Sequence, residues 1–195
     1  MLSWPGRLAV TLFAACLLAG CQPAAPPPTP VPTYACTPEA GGAEFSCSQQ
    51  QYDEMVAKDK LYAEAEAVYR RFFAEDVRIF RSGGVAEPTQ TLLETTTGAF
   101  LSDSMALYRS LKADSRRLEG GEIRLVSIQR RAGVSKESSI VAMTACVDAR
   151  STTVLEHGKK VGPGYLIEDL LYFGRFDGVL KIQGADGQEE GKCAG

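Results

Sequence analysis

The chain has 195 residues, 45% of them apolar and 23% charged, and a formal net charge of −3. This is the composition of a folded globular protein and excludes a disordered or fibrous one. Basic and acidic residues are interspersed, and loss of Arg7 with a leader would leave 20 basic against 24 acidic residues, so nucleic acid is not an expected partner. Pairs such as Arg70-Arg71 and Arg130-Arg131 are expected on solvated helix faces or strand ends.

Behind Arg7, residues 8–19 form an apolar run of 12 residues. A helix needs about 20 residues to span the roughly 30 Å hydrocarbon core, so the run reads as a signal peptide. It ends in LAGC at 18–21, which has the form of a bacterial lipobox: small residues precede the scissile bond and a cysteine follows it. The expectation is a diacylglyceryl group on the thiol of Cys21 and cleavage just before it, which makes residues 1–20 the leader. Two acyl chains hold where one binds only marginally, so the membrane is an expected partner and its extracytoplasmic face the expected location. The segment 22–32, QPAAPPPTPVP, holds six of the ten prolines and is expected to be a stiff polyproline II spacer. Residues 21–35 are therefore assigned to a lipidated tether and 36–195 to a single α+β domain.

With Cys16 in the leader and Cys21 lipidated, Cys36, Cys47, Cys146 and Cys193 remain. An even number outside the cytoplasm implies two disulfides, with three connectivities open. Cys36 with Cys47, and Cys146 with Cys193, is the favoured arrangement; the first pair closes the short loop TPEAGGAEFS. Structural zinc is discounted because no two of these cysteines stand at C-x(2-4)-C spacing, so neither a metal nor a cofactor is expected.

Ser48-Gln49-Gln50-Gln51 has the S-x-x-Q form of a capping box. A long helix is expected behind it, because Tyr52, Met55, Tyr62, Ala65, Tyr69 and Phe72 recur at spacings of three, four and seven. Ser82-Gly83-Gly84 ends that helix. A short helix over 89–96 and a third over 99–113 follow, the latter with Phe100, Leu101, Met105, Tyr108 and Leu111 on its apolar side. The remainder reads as four strands, 122–131, 139–153, 165–175 and 179–183, then a polar tail over 184–195. Both faces of 139–153 are apolar, so that strand is expected at the centre of the sheet. Asp177-Gly178 predicts a two-residue hairpin, and His157-Gly158-Lys159 another turn.

Three helices followed by antiparallel strands is an α+β order, and it resembles the cone-shaped fold of nuclear transport factor 2-like proteins, with the helices packed in a curved sheet. The segments YACTPEAGGAEFSCSQQQYDEM from Tyr34, KDKLYAEAEAVYRRFF from Lys58, TACVDARSTTVLEHGKKV from Thr144 and the closing GKC look like a family of uncharacterised actinobacterial lipoproteins. That resemblance implies a surface-attached domain with two disulfides, the second joining Cys146 and Cys193, and it brings no assigned activity. Enzymes on such cones use an aspartate, histidine or tyrosine inside the cone as general acid or base.

The mature chain has one histidine, His157, and its predicted turn makes it a surface residue. If Asp148 follows the alternation of its strand it shares a face with Cys146 and Thr144 and is a candidate for burial with a raised pKa; the commoner placement of such an aspartate is near a strand end in water. Glu168 and Asp169 are adjacent, hence on opposite faces, and cannot act as a pair. Phosphate-loop, dinucleotide, zinc-protease and nucleophile-elbow motifs are absent from the sequence. Three readings follow, in this order. The first is a non-catalytic domain making contacts with a protein of the cell envelope. The second is a small-molecule or lipid binder with a pocket lined by Tyr62, Phe72 and Phe100. The third is an acid/base enzyme using Asp148 or Asp169. No residue is assigned as catalytic, and a homodimer through the outer face of the sheet is a candidate assembly.

Overall fold

Ser48 opens the longest element of the protein. Its hydroxyl accepts from the Gln51 N–H at 3.3 Å, and the Ser48 N–H donates to Gln51 Oε1 at 2.9 Å, which is the reciprocal capping box. Behind this cap, helix α1 (Gln49–Ser82) runs on in the computed structural model, which describes residues 32–189 and Cys193. Gly83 stops it at φ 80°, in the left-handed region, and the Gly84 N–H returns to the Ile79 carbonyl at 2.9 Å. The buried stripe is Tyr62, Ala65, Tyr69, Phe72 and Ile79. Helix α2 (Gln90–Thr95) begins at Thr89, whose hydroxyl accepts from the Leu92 N–H at 3.3 Å. Helix α3 (Gly98–Ala113) buries Met105, Tyr108 and Leu111.

The strands are β1 (Tyr34–Cys36), β2 (Phe45–Cys47), β3 (Arg116–Glu119), β4 (Arg124–Arg130), β5 (Val141–Asp148), β6 (Thr153–Glu156), β7 (Lys159–Pro163), β8 (Leu166–Phe176) and β9 (Val179–Glu189). All pair antiparallel, in three sheets ordered β1-β2, β3-β6-β7 and β4-β5-β8-β9. The protein is α+β. By contact the chain divides between Val31 and Pro32, and these elements all belong to the second unit.

Two expectations need correction. The strand expected over 139–153 breaks after Asp148. The Thr152 N–H and hydroxyl both donate to the Ala149 carbonyl, at 2.8 and 2.7 Å, and the chain leaves that turn in a different sheet as β6. What was expected as one curved sheet is therefore divided among smaller ones. The last strand does not end at residue 183 but runs to Glu189, paired with β8 as far as Ile167. Its Gly184, Asp186 and Gly187 are poor strand formers, and the open edge of β8 overrides them by supplying backbone partners. The Asp177-Gly178 hairpin forms as expected, with φ 51° and 78° at its two central residues.

The core lies between the helices and the inner face of the four-stranded sheet. Val141, Met143 and Ala145 of β5, Leu171 and Phe173 of β8, and Leu180 and Ile182 of β9 pack against the buried stripes of α1 and α3. Every residue of β5 is buried, as its place between β4 and β8 requires. Cys36–Cys47 clasps the β1–β2 hairpin ahead of α1, and Cys146–Cys193 ties the C-terminal chain to β5. The leader, Cys21 and the spacer up to residue 31 lie outside the described residues. Tyr34 and Ala35, assigned above to the tether, are the first residues of β1. Among the described residues no helix is long and apolar enough to cross a membrane.

Candidate functional site

The core-facing stripe of α1 advances by threes and fours through residues 62, 65, 69, 72, 76 and 79, and at the fifth of these positions stands a carboxylate, Asp76. Its Oδ1 accepts a hydrogen bond from the Tyr108 hydroxyl of α3 at 2.6 Å. The two helices can approach this closely because residue 84 is glycine: a side chain there would overlap the backbone carbonyl of Tyr108.

The sheet supplies a second carboxylate. On β8 the residues facing the helices are Ile167, Asp169, Leu171 and Phe173, and Asp169 stands opposite Ala145 of β5 on one side and Gly187 of β9 on the other. A Cβ at Gly187 would lie 2.5 Å from Asp169 Oδ1, so the glycine leaves the space that the carboxylate occupies. Both aspartates open onto one cavity of about 400 Å³, bounded by α1, α3, Val147 of β5 and the start of β8. That volume is within the ordinary range for small-molecule sites. Six of its twelve lining residues are aromatic. Phe72 and Phe100 meet edge-on at 5.2 Å, and Phe80 is edge-on to both Tyr108 and Tyr165, at 6.2 and 6.0 Å. Leu107, 47% exposed, stands at the rim.

Burial dominates the electrostatics. It pushes the Asp76 carboxyl up to about 7; the Tyr108 hydrogen bond works against that rise, and the charge of Asp169 adds to it. Burial alone pushes Asp169 up to about 6. The phenols of Tyr69, Tyr108 and Tyr165 are raised by burial and then by the neighbouring carboxylates, so all three stay protonated as donors. Near neutral pH the two carboxyls therefore sit at the edge of ionisation, where each can donate or accept a hydrogen bond, or exchange a proton.

No protein-family model matches the chain, and no curated protein matches it in sequence. The cavity has to be read from its own residues.

Of the residues singled out in the sequence, the fold brings Phe72, Phe100 and Asp169 together in this cavity. Tyr62 lies elsewhere: its hydroxyl donates to Glu39 Oε1 at 2.6 Å and the Arg130 guanidinium lies 4.8 Å above its ring, so it packs against the β1–β2 loop. Asp148 is a correction. It is buried on the same face as Cys146, as expected, but its pKa moves down. Arg150 binds it with its guanidinium at 2.9 and 3.0 Å and its backbone N–H at 3.0 Å, and with Arg124 at 3.4 Å this holds the carboxyl well below the usual range. His157 is exposed in the β6–β7 turn at φ 48°.

The sequence reading missed Asp76, Tyr108 and Tyr165 as site residues. For Asp76 a signal existed, a charge in a core-facing helical position between Phe72 and Ile79. For the tyrosines there was none, because their roles come from contacts across the fold.

A second cavity of about 520 Å³ shares Phe100, Ser104 and Leu107 with the first, and is otherwise lined by the start of α3, the 136–138 loop, β8 and β9. Of its charged lining residues, Asp103, Lys136 and Glu137, the lysine is paired: its ammonium lies 2.7 Å from Asp186, which also accepts from the Tyr172 hydroxyl at 2.9 Å. Among the described residues no group of three or more His, Cys, Asp or Glu is arranged to hold a metal ion.

Proposed function

We propose that the protein is a lipid-anchored binding module on the extracytoplasmic face of the membrane, taking a small, largely apolar molecule with one polar group into the cavity between α1, α3 and β8. The observation that carries this reading is the cavity itself, apolar on its walls and provided with two carboxyls and three phenols. A domain serving only protein contacts would have a filled interior, and the open one ranks ligand binding ahead of the envelope-partner reading. The anchor rests on the LAGC tetrapeptide and the proline-rich spacer. Three helices packed on an antiparallel sheet, with the cavity between them, favour a variant of the nuclear transport factor 2-like cone as the architecture. Acid/base catalysis is a second reading, favoured by the Asp76–Tyr108 hydrogen bond at 2.6 Å beside a second carboxyl near its ionisation point.

Native mass spectrometry of the protein extracted from membranes tests both parts. The expected spectrum shows a chain beginning at diacylglyceryl-modified Cys21 with a retained small molecule. The variant Ile167→Phe, which fills the cavity wall, is expected to lose that molecule while keeping its fold. Equal retention by the two proteins would reject the cavity as the site, and a mature N-terminus other than lipidated Cys21 would reject the anchor.

A further inference from the structure

Asp76 and Asp169 are the two carboxyls that line the cavity between α1, α3 and β8. Ion pairs tie Glu39, Asp59, Glu64, Glu75, Asp148, Asp186 and others to lysines or arginines. No ion pair reaches Asp76 or Asp169 among the described residues, and no lysine, arginine or histidine lines their cavity. Among the described residues Asp76 has the Tyr108 hydroxyl as its hydrogen-bond partner, and the two carboxyls are close enough for the charge of Asp169 to raise the pKa of Asp76. Two carboxylates facing one low-dielectric space without a cation are costly unless protonated or paired. Six of the other ten lining residues are aromatic, and ring faces carry the negative side of a quadrupole, which attracts cations.

We infer that the cavity takes an organic cation, an amine or quaternary ammonium whose charged nitrogen lies between Asp76 and Asp169 and whose apolar body packs on Phe72, Phe80, Phe100 and Tyr165. The ligand supplies the positive charge that the cavity walls lack. An anion would be repelled, and a neutral ligand would leave the carboxyls to protonation. This deepens the binding reading above and rests on it.

Its pH dependence has a fixed sign. The titratable groups facing the cavity are Tyr69 and Asp76 from α1, Tyr108 from α3, Tyr165 just before β8 and Asp169 on it, and Glu75 of α1 acts on Tyr108 from outside the lining. The phenols stay neutral and Glu75 is already ionised beside Arg78, its pKa lowered, so only the two aspartates change charge between pH 5 and pH 8. A cation binds the ionised pair, so affinity rises with pH over that interval and binding expels protons.

The test uses the full chain, titrated by calorimetry with benzyltrimethylammonium, whose charge is permanent, and with its neutral isostere neopentylbenzene. The cation is expected to bind at least tenfold tighter than the isostere at pH 8 and to weaken at least tenfold at pH 5. Asp169→Asn should remove most of that preference. Titration of the unaltered protein in two buffers of different ionisation enthalpy should show proton release near neutral pH, a readout that needs no variant. Equal or tighter binding of the isostere, or no proton release, overturns the cation while leaving the cavity as a binding site. If neither probe binds and Ile167→Phe changes nothing in the retained mass, the binding reading falls and this inference with it.

Discussion

Asp148 and Asp169 are both strand aspartates, yet their surroundings drive their carboxyls in opposite directions from an ordinary value of 3.8. Asp169, with its pKa raised, favours the folded state below pH 3.8 and forfeits that contribution as pH rises through about 6. Asp169→Asn should therefore raise the unfolding free energy at pH 8 by an amount on the order of 2 kcal/mol, and the thermal midpoint with it, and leave both nearly unchanged at pH 4. Asp148, with its pKa lowered by Arg150 and Arg124, contributes above pH 3.8 and ceases to as the pH falls through its depressed pKa. Asp148→Asn should lower the midpoint at pH 7, and the difference should close on acidification. Melting curves of the two variants from pH 8 down to about pH 1.5 check both signs, the Asp148 difference narrowing below pH 3.8. The same residue type thus lines a cavity in one strand and is held by arginines in the other.

The ends of the elements place these side chains. The capping box at Ser48 sets where α1 begins, and its phase brings Asp76 under α3; Gly84 then lets the chain fold back against Tyr108. On the other wall, β9 carries Gly187 opposite Asp169, where the strand has no room for a Cβ. Gly187→Val should destabilise the protein by about 1–3 kcal/mol, the usual penalty of overpacking, and should also weaken binding of benzyltrimethylammonium by displacing the carboxylate. Gly162→Ala, where an added Cβ meets open space, should change neither. Urea unfolding and calorimetry of the pair separate the effect of position from that of losing a glycine.

Across the folded unit the two disulfides act at different ranges. Cys36–Cys47 closes a separation of 11 residues and Cys146–Cys193 one of 47. In the chain-entropy account these contribute about 2.7 and about 4 kcal/mol, so replacing Cys193 with serine should lower unfolding stability more than replacing Cys47. Both variants, measured against the oxidised protein by urea unfolding, give the comparison; a larger loss at Cys47 would place the burden on the hairpin that leads into α1. Cys146 sits on β5, two residues from Asp148 and on the strand that contributes Val147 to the cavity wall, so the longer bond also braces the sheet behind the site.

Periodicity and capping chemistry are local, and they were enough to read α1, the break at Gly83, the Asp177-Gly178 hairpin, the central position of β5 and the α+β order. The segregation of Glu168 from Asp169 followed from the two-residue period of a strand, and Phe72 and Phe100 from their place on helical stripes. The cavity was not legible in the same way. Whether large side chains fill an interior or line it depends on distances between elements far apart in sequence, and so does whether a buried aspartate meets an arginine, as Asp148 does, or only a phenol, as Asp76 does. The turn at Ala149 and the extension of β9 to Glu189 also came from long-range pairing, because an unpaired strand edge can recruit residues whose own preferences point elsewhere. Local chemistry specified the elements; only their packing in three dimensions created a space with two carboxyls and no cation.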